Sequence, residues 1–264
     1  MTCPRLVLVA FSGPNIDRTG NPKPPSLLSR SLTRLSGYPR LQLLPMTGRD
    51  NFFHRVEKLR SFVAAQCAET IVLHTDSYDA FLRGSAARLI RVFEQLQTPV
   101  LWAAERLYSW QDEGNRTFYD RLAEGKGPYR YLNGGGYMGY AAALRPILER
   151  TVFISKFRGA DQMAFSRFLA NHWAQSNVSF DYGTRVFFVA SGEDWNLRKA
   201  RSRVLAANPC HVHVPYTAYK PNERTLLALF RDDFGDEQSR SRNWTGGRAP
   251  SHTPRSPSRT AAWP

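Results

Sequence analysis

The sequence predicts an α/β protein built on a mixed, mostly parallel sheet flanked by helices. Three observations carry this. The apolar runs Leu6–Phe11, Ile71–His74 and Val100–Ala104 have strand length and no polar alternation, as strands covered on both faces do. A helical pattern over Ser85–Leu96 separates the second run from the third, and strand, helix, strand at this spacing is the signature of parallel pairing. Two of the runs also end on acidic residues, Asp76 and Glu105, and open α/β sheets bind ligands outside the carboxyl ends of their strands.

Taken in order, the first strand (Leu6–Phe11) leads into a polar loop, Asn15–Ser26, that holds Pro22, Pro24 and Pro25. Ser12 and Gly13, where the strand ends, are the part of that loop best placed to approach a ligand. Leu41–Leu44 reads as a short second strand. Asp50 then offers an N-cap to a helix in which Phe52, Phe53, Val56, Leu59, Phe62, Val63 and Cys67 recur at helical spacing. Arg55 and Lys58 share one side of that helix, either as a solvated basic face or as phosphate contacts. The strand Thr70–His74 runs into Thr75-Asp76-Ser77-Tyr78-Asp79. Two carboxylates three residues apart suit a hard divalent cation held through oxygen, and they suit a turn or a helix cap equally well.

The Ser85–Leu96 helix and the Pro99–Ala104 strand follow, and Glu105 closes that strand. Asp112–Pro128 reads as a loop with one helical turn at Thr117–Leu122. Tyr131-Leu132-Asn133-Gly134-Gly135-Gly136-Tyr137-Met138-Gly139-Tyr140 reads as a strand that passes under a ligand, or as a bulge or tight bend. It lacks the spacing of a dinucleotide fingerprint and the Gly-Lys-Ser/Thr of a P-loop. Helices are expected over Ala141–Arg150 and from Asp161, which is a good N-cap by type. Strands are expected at Val178–Phe180 and Arg185–Val189 around a turn at Asp181-Tyr182-Gly183. Cys210–Val214 should be a strand with His211 and His213 on one side of it. Lys220 follows and can meet a phosphate. Arg224–Phe230 reads as a last helix, and residues 235–264 as a disordered basic tail rich in Ser, Arg, Pro and Gly beyond a single domain over 1–234.

Bulk composition narrows the function classes. Lys and Arg number 36 against 22 acidic residues, a net charge of +14, which favours an anionic partner or a phosphate-bearing ligand. No nucleic-acid motif accompanies it, so a nucleic acid is not the expected partner, and the Arg residues are scattered as a compositional bias would scatter them. The three cysteines match no zinc spacing, their odd number argues against a disulfide scaffold, and Cys67 reads as a small buried hydrophobe. No signal peptide and no membrane-length apolar run is seen, which sets a cytoplasmic location as the default expectation.

The order of these motifs is informative. A strand precedes Asp76-Ser77-Tyr78-Asp79, another precedes Ala104-Glu105, and then come the Tyr131–Tyr140 segment, Asp161-Gln162 and His213. Together they resemble the glycosyltransferase domain of the procollagen lysyl hydroxylases along residues 5–230. The resemblance implies a GT-A fold, a Rossmann-like α/β sheet, and a hexosyltransferase using a UDP-sugar and Mn2+. It implies that Asp76, Asp79 and His213 bind the metal and that Tyr78 stacks on the uracil. Arg55, with Lys58 one turn on, matches the basic position of the preceding helix. Ser12, Gly134, Gly135 and Lys220 complete the donor-binding set, while Glu105, Asp161 and Gln162 line the sugar and acceptor region as the catalytic candidates. The activity it implies moves glucose from UDP-glucose to a protein or glycan acceptor, galactosyl-hydroxylysine of a collagen-like protein, with retention at the anomeric carbon. The chain departs from the family pattern at Ala160, at Asn133-Gly134-Gly135, and at Val214-Pro215 after His213. Those departures keep open the alternative of a catalytically impaired binding or accessory protein.

Overall fold

A computed structural model describes residues 2–13, 25–47, 52–108, 113–155, 161–215, 228 and 230. The expected basic tail, Lys220, Asp50, Ala160, most of the Pro-rich loop and all but Ala228 and Phe230 of the expected last helix lie outside the described residues.

The main sheet has six strands: β1 (Leu6–Ser12), β2 (Leu41–Pro45), β3 (Ile71–Thr75), β5 (Val100–Glu105), β6 (Tyr131–Tyr140) and β7 (Val178–Phe180), in the order β2-β1-β3-β6-β5-β7. Five strands point one way and β6 runs antiparallel to both its neighbours. The expected mixed, mostly parallel sheet is therefore present. Its one reversed strand has a direct effect on the site. Thr75 pairs with Gly136 and Glu105 with Tyr131, so the early, glycine-rich half of β6 lies beside the carboxyl ends of β3 and β5. The Tyr131–Tyr140 stretch is a full strand, with a register shift opposite Trp102 and Ala104 in β5.

Alternate residues of the strands feed two cores. Val9 and Phe11 of β1 join one, against α2 (Phe52–Ala64), α5 (Ala141–Ser155) and α6 (Asp161–Ser176). Leu6, Leu8 and Ala10 join the other, against α1 (Leu27–Leu32) and α3 (Ala86–Gln95). Helices therefore cover both faces, which is why the strand sequences are apolar throughout. Ser85 caps α3 by accepting from the Arg88 amide, and Ala86, Leu89, Ile90 and Phe93 form its buried stripe as its periodicity dictates. The helical turn expected near Thr117 is α4 (Arg116–Leu122), and α6 starts at Asp161 as its sequence indicates.

A small second sheet, β4 (Ala80–Leu82), β9 (His211–His213) and β8 (Phe187–Val189), sits beyond the end of β3. β9 pairs antiparallel with β4, setting His213 opposite Ala80. Between β8 and β9 lies α7 (Leu197–Ala207), capped by Asn196 and closed by Asn208 in the left-handed conformation.

The cysteine reading needs correction. Cys67 lies past the end of α2 and is disulfide-bonded to Cys3, 64 residues away; Cys210 is the buried free thiol. The bond became possible because β1 and β3 pair in parallel, with the Ile71 amide donating to the Arg5 carbonyl, so the segments before both strands lie side by side. An odd count of cysteines cannot reveal such a neighbourhood. Among the described residues no helix is long and apolar enough to cross a membrane.

Candidate functional site

The site assembles where β3, β5, β6 and β9 converge. Asp76 is the first residue after β3, and its amide donates to the Gly135 carbonyl, 2.9 Å away. The turn that follows is fixed from beneath: the Ser77 hydroxyl donates to the Phe11 carbonyl at 2.7 Å, and the Leu28 amide donates to the Ser77 carbonyl at 3.2 Å. Asp79 ends the turn, and its carbonyl accepts from the Val214 amide. This places Asp76, Asp79 and His213 together, with His213 Nε2 3.6 Å from Asp76 Oδ2 and 3.6 Å from Asp79 Oδ1. One ligand atom from each of the three lies within 4.8 Å of the others. Two carboxylates and one imidazole are a donor set suited to a divalent cation.

Backbone without a side chain is needed on the floor of this cluster. A Cβ on Gly135 would lie 2.3 Å from His213 Cε1 and 2.8 Å from Asp76 Oδ2. Only glycine lets β6 pass beneath the imidazole at this distance. The neighbouring amides are held as well. Gln162 Oε1 accepts from the Gly134 amide at 2.8 Å, and Gln162 Nε2 donates to Glu105 Oε1 at 2.9 Å. The three catalytic candidates do not gather at one point: Gln162 links Glu105 to the glycine strand, and Asp161 faces Arg55.

Arg55 bridges two carboxylates. Its Nη2 is 3.1 Å from Asp76 Oδ1 and its Nη1 3.2 Å from Asp161 Oδ2, with the guanidinium 4.7 Å from the centre of the Phe11 ring. It therefore belongs to the site and not to a solvated basic face. The two aspartates share this cation but not their other neighbours. Burial works against the charge of Asp76, yet Arg55 and then His213 outweigh it and hold its carboxyl below the usual range. Burial raises Asp161, Arg55 opposes this, and the nearby charge of Asp76 adds to the rise. The His213 imidazole, despite burial, is pushed up to about 9 by Asp79 and Asp76.

The remaining sequence candidates spread around this centre. Tyr78 is half-buried in the turn between the two aspartates. Ser12 ends β1, where its carbonyl accepts from the Met46 amide. Lys58 donates to the Pro45 carbonyl at 2.6 Å, at the end of β2, and is not brought to the carboxylates as Arg55 is. Lys220 lies outside the described residues. Beneath the site, Phe11, His74, Tyr137 and Trp102 form a row of buried rings with successive centroids 5.4, 4.7 and 4.1 Å apart. His74 has no hydrogen-bond partner among the described residues, and burial takes its imidazole down to about 3, so it serves as a neutral ring of the core.

Sequence reasoning missed two members of the site. His211 Nε2 is 2.6 Å from the Thr75 hydroxyl, a contact foreshadowed only by the alternation of the two histidines. Asn133 has no role by spacing within the Tyr131–Tyr140 segment, yet its Oδ1 faces both the Gly135 amide and His213 Nδ1 at 3.0 Å. An Asn immediately before glycines at a strand end was the available signal.

Residues 53–226 match the family model described as PLOD GT domain. The chain is 28% identical over 165 residues to the human (Homo sapiens) multifunctional procollagen lysine hydroxylase and glycosyltransferase LH3, covering 61% of this chain and 21% of that protein. It is 26% identical over 151 residues to procollagen-lysine,2-oxoglutarate 5-dioxygenase 1 of Gallus gallus, covering 56% and 20% respectively. The chain thus spans about a fifth of the length of the curated relatives it matches. Among solved structures, the apo structure of the WbbM bifunctional glycosyltransferase overlaps 80% of this chain and 45% of its own, at 12% identity and a TM-score of 0.45.

Proposed function

The chain belongs to the PLOD GT domain family, a family of glycosyltransferase domains, and on that footing we propose that it is a Mn2+-dependent hexosyltransferase. The donor in this reading is a UDP-sugar, UDP-glucose first. The acceptor is a hydroxyl, such as that of galactosyl-hydroxylysine in a collagen-like protein. The observation that carries the reading is the meeting of Asp76, Asp79 and His213 within 4.8 Å at the carboxyl end of β3.

Asp76, Asp79 and His213 would hold the ion, and Tyr78, between the two aspartates, would stack on the uracil. When bound, a divalent cation neutralises the diphosphate as the bond from the anomeric carbon to the phosphate oxygen breaks. The protein's own part is orientation and proton management. Arg55 presents a fixed positive charge beside the cluster without needing a bound ion. Asp161, whose carboxyl is raised, is the group better suited to receive the acceptor hydroxyl's proton as the new C–O bond forms. Glu105, held through Gln162, fixes the floor on which the sugar would sit. Departure and attack on one face of the sugar, with retention, fits a site in which Glu105 is engaged by Gln162 and Asp161 by Arg55.

The test is calorimetric binding of UDP with and without Mn2+, in the natural protein and in Asp79→Ala. Metal-dependent binding that Asp79→Ala abolishes is expected. Equal binding in all conditions ends the metal-clamp reading. UDP binding without hydrolysis of, or transfer from, any UDP-sugar would instead leave a binding protein on a transferase fold.

A further inference from the structure

We propose that Asn133 is a positioning residue for His213: its side-chain oxygen fixes which imidazole nitrogen faces Asp76 and Asp79. The proposal rests on the metal reading above and adds a residue to which spacing gives no role.

The argument turns on one atom. Asn133 Oδ1 lies 3.0 Å from the Gly135 amide nitrogen and 3.0 Å from His213 Nδ1. A backbone N–H can only donate, so the amide atom facing it must be the oxygen and not the nitrogen. That oxygen can only accept, so the proton shared with the imidazole belongs to His213 Nδ1. The other nitrogen, Nε2, is thereby the one turned toward Asp76 Oδ2 and Asp79 Oδ1, at 3.6 Å from each. A ligating histidine needs this arrangement: one nitrogen anchored as a donor, the other presenting its lone pair to the ion.

The surroundings leave the pair little freedom. Asn133 and His213 are each only 4% exposed, so neither can exchange its partner for bulk water. The Gly134 amide is tied to Gln162 and the Gly135 amide to Asn133 itself, which fixes the backbone from which the Asn133 side chain springs. The missing Cβ at Gly135 lets the imidazole settle against β6 within reach of Asn133. An uncharged amide also orients the ring without a further negative charge beside Asp76 and Asp79.

Calorimetric titration with Mn2+ and with Zn2+ would compare the natural protein, Asn133→Ala and Asn133→Asp. Loss of a partner to a ligating histidine costs roughly 10- to 100-fold in metal affinity, and Asn133→Ala is expected to fall in that range. Asn133→Asp keeps an acceptor oxygen in place and is expected to regain most of the loss. Affinity in Asn133→Ala equal to that of the natural protein overturns the proposal while leaving the metal reading intact. No binding of either ion to the natural protein overturns the metal reading itself. A readout that needs no variant of Asn133 is long-range 1H–15N correlation on the Zn2+-loaded natural protein, with the His213 signals assigned by their loss in His213→Gln. Protonated Nδ1 with metal-shifted Nε2 is expected. The reverse pattern sinks the proposal even if Asn133→Ala fails to fold.

Discussion

Replacing Gly135 by alanine is the sharpest perturbation of this site, because its size can be worked from the geometry. The added Cβ would stand 2.3 Å from His213 Cε1, 2.6 Å from Nδ1 and 2.8 Å from Asp76 Oδ2, where ordinary contact begins at 3.4 Å. Nothing flexible lies in the way: the clash is with a buried ring held by Asn133 and with the carboxylate beside it. The imidazole must retreat by more than 1 Å, the difference between 2.3 and 3.4 Å. Displacement of a reacting or ligating group by about 1 Å costs on the order of 100-fold. Gly135→Ala should therefore lose about that factor in Mn2+ affinity and in UDP-sugar hydrolysis. Gly134→Ala is the control, since its Cβ would meet Gln162 Cβ at 3.1 Å and need shift that neighbour by only a few tenths of an ångström. Calorimetry for the ion and thermal unfolding in EDTA for the fold separate a damaged site from a damaged protein. Gly135→Ala that binds Mn2+ within twofold of the natural protein would refute the reasoning.

Three further outcomes follow from the same contacts. Arg55→Met leaves Asp76 and Asp161 without their shared cation and should cost roughly 1–3 kcal/mol in EDTA, as losing a charged hydrogen-bond partner does. Saturating Mn2+ should restore part of that loss, and an equal drop in Tm with and without the ion would contradict it. Cys67→Ser opens a loop of 64 residues, for which chain entropy gives about 4 kcal/mol. In a domain of this size that is a fall in Tm of roughly 8–16 °C, read by non-reducing against reducing melts; coincident melts would mean the thiols are not joined. Gln162→Leu removes its bonds to the Gly134 amide and to Glu105, and should lower the rate of sugar transfer more than Mn2+ affinity, since Asp76, Asp79 and His213 keep their own contacts.

Much of this was legible because the strands and the site share a cause. Apolar strand runs ending in Asp76 and Glu105 mark both the sheet and the edge where ligands sit, and alternate histidines mark β9. What escaped the sequence was short or distant. β4 is three residues, Ala80–Leu82, too few to show a period. α1 has six residues behind a run of prolines, and α7 buries only Leu197, Ala200 and Val204 beneath a strongly basic exterior. The Cys3–Cys67 bond and the Asn133–His213 contact join residues 64 and 80 apart; the pairing of β1 with β3 brings the first partners together, and the pairing of β6 with β3 and of β9 with β4 brings the second. Arg55 could be placed on a helix face by spacing, but its role depends on where α6 begins, which spacing along α2 cannot supply.

The late position of β9 in the chain has a consequence for biosynthesis. His211 meets Thr75 across 136 residues, and His213 completes a cluster whose carboxylates leave the ribosome far earlier. Domains fold as they are made, from the amino terminus onward, so the main sheet can assemble with both aspartates in place before the imidazole exists. A nascent chain paused before β9 would hold two of the three candidate ligands, Asp76 and Asp79, and gain less from the ion. Stabilisation by a divalent cation would then distinguish chains that include β9 from those that stop short of it.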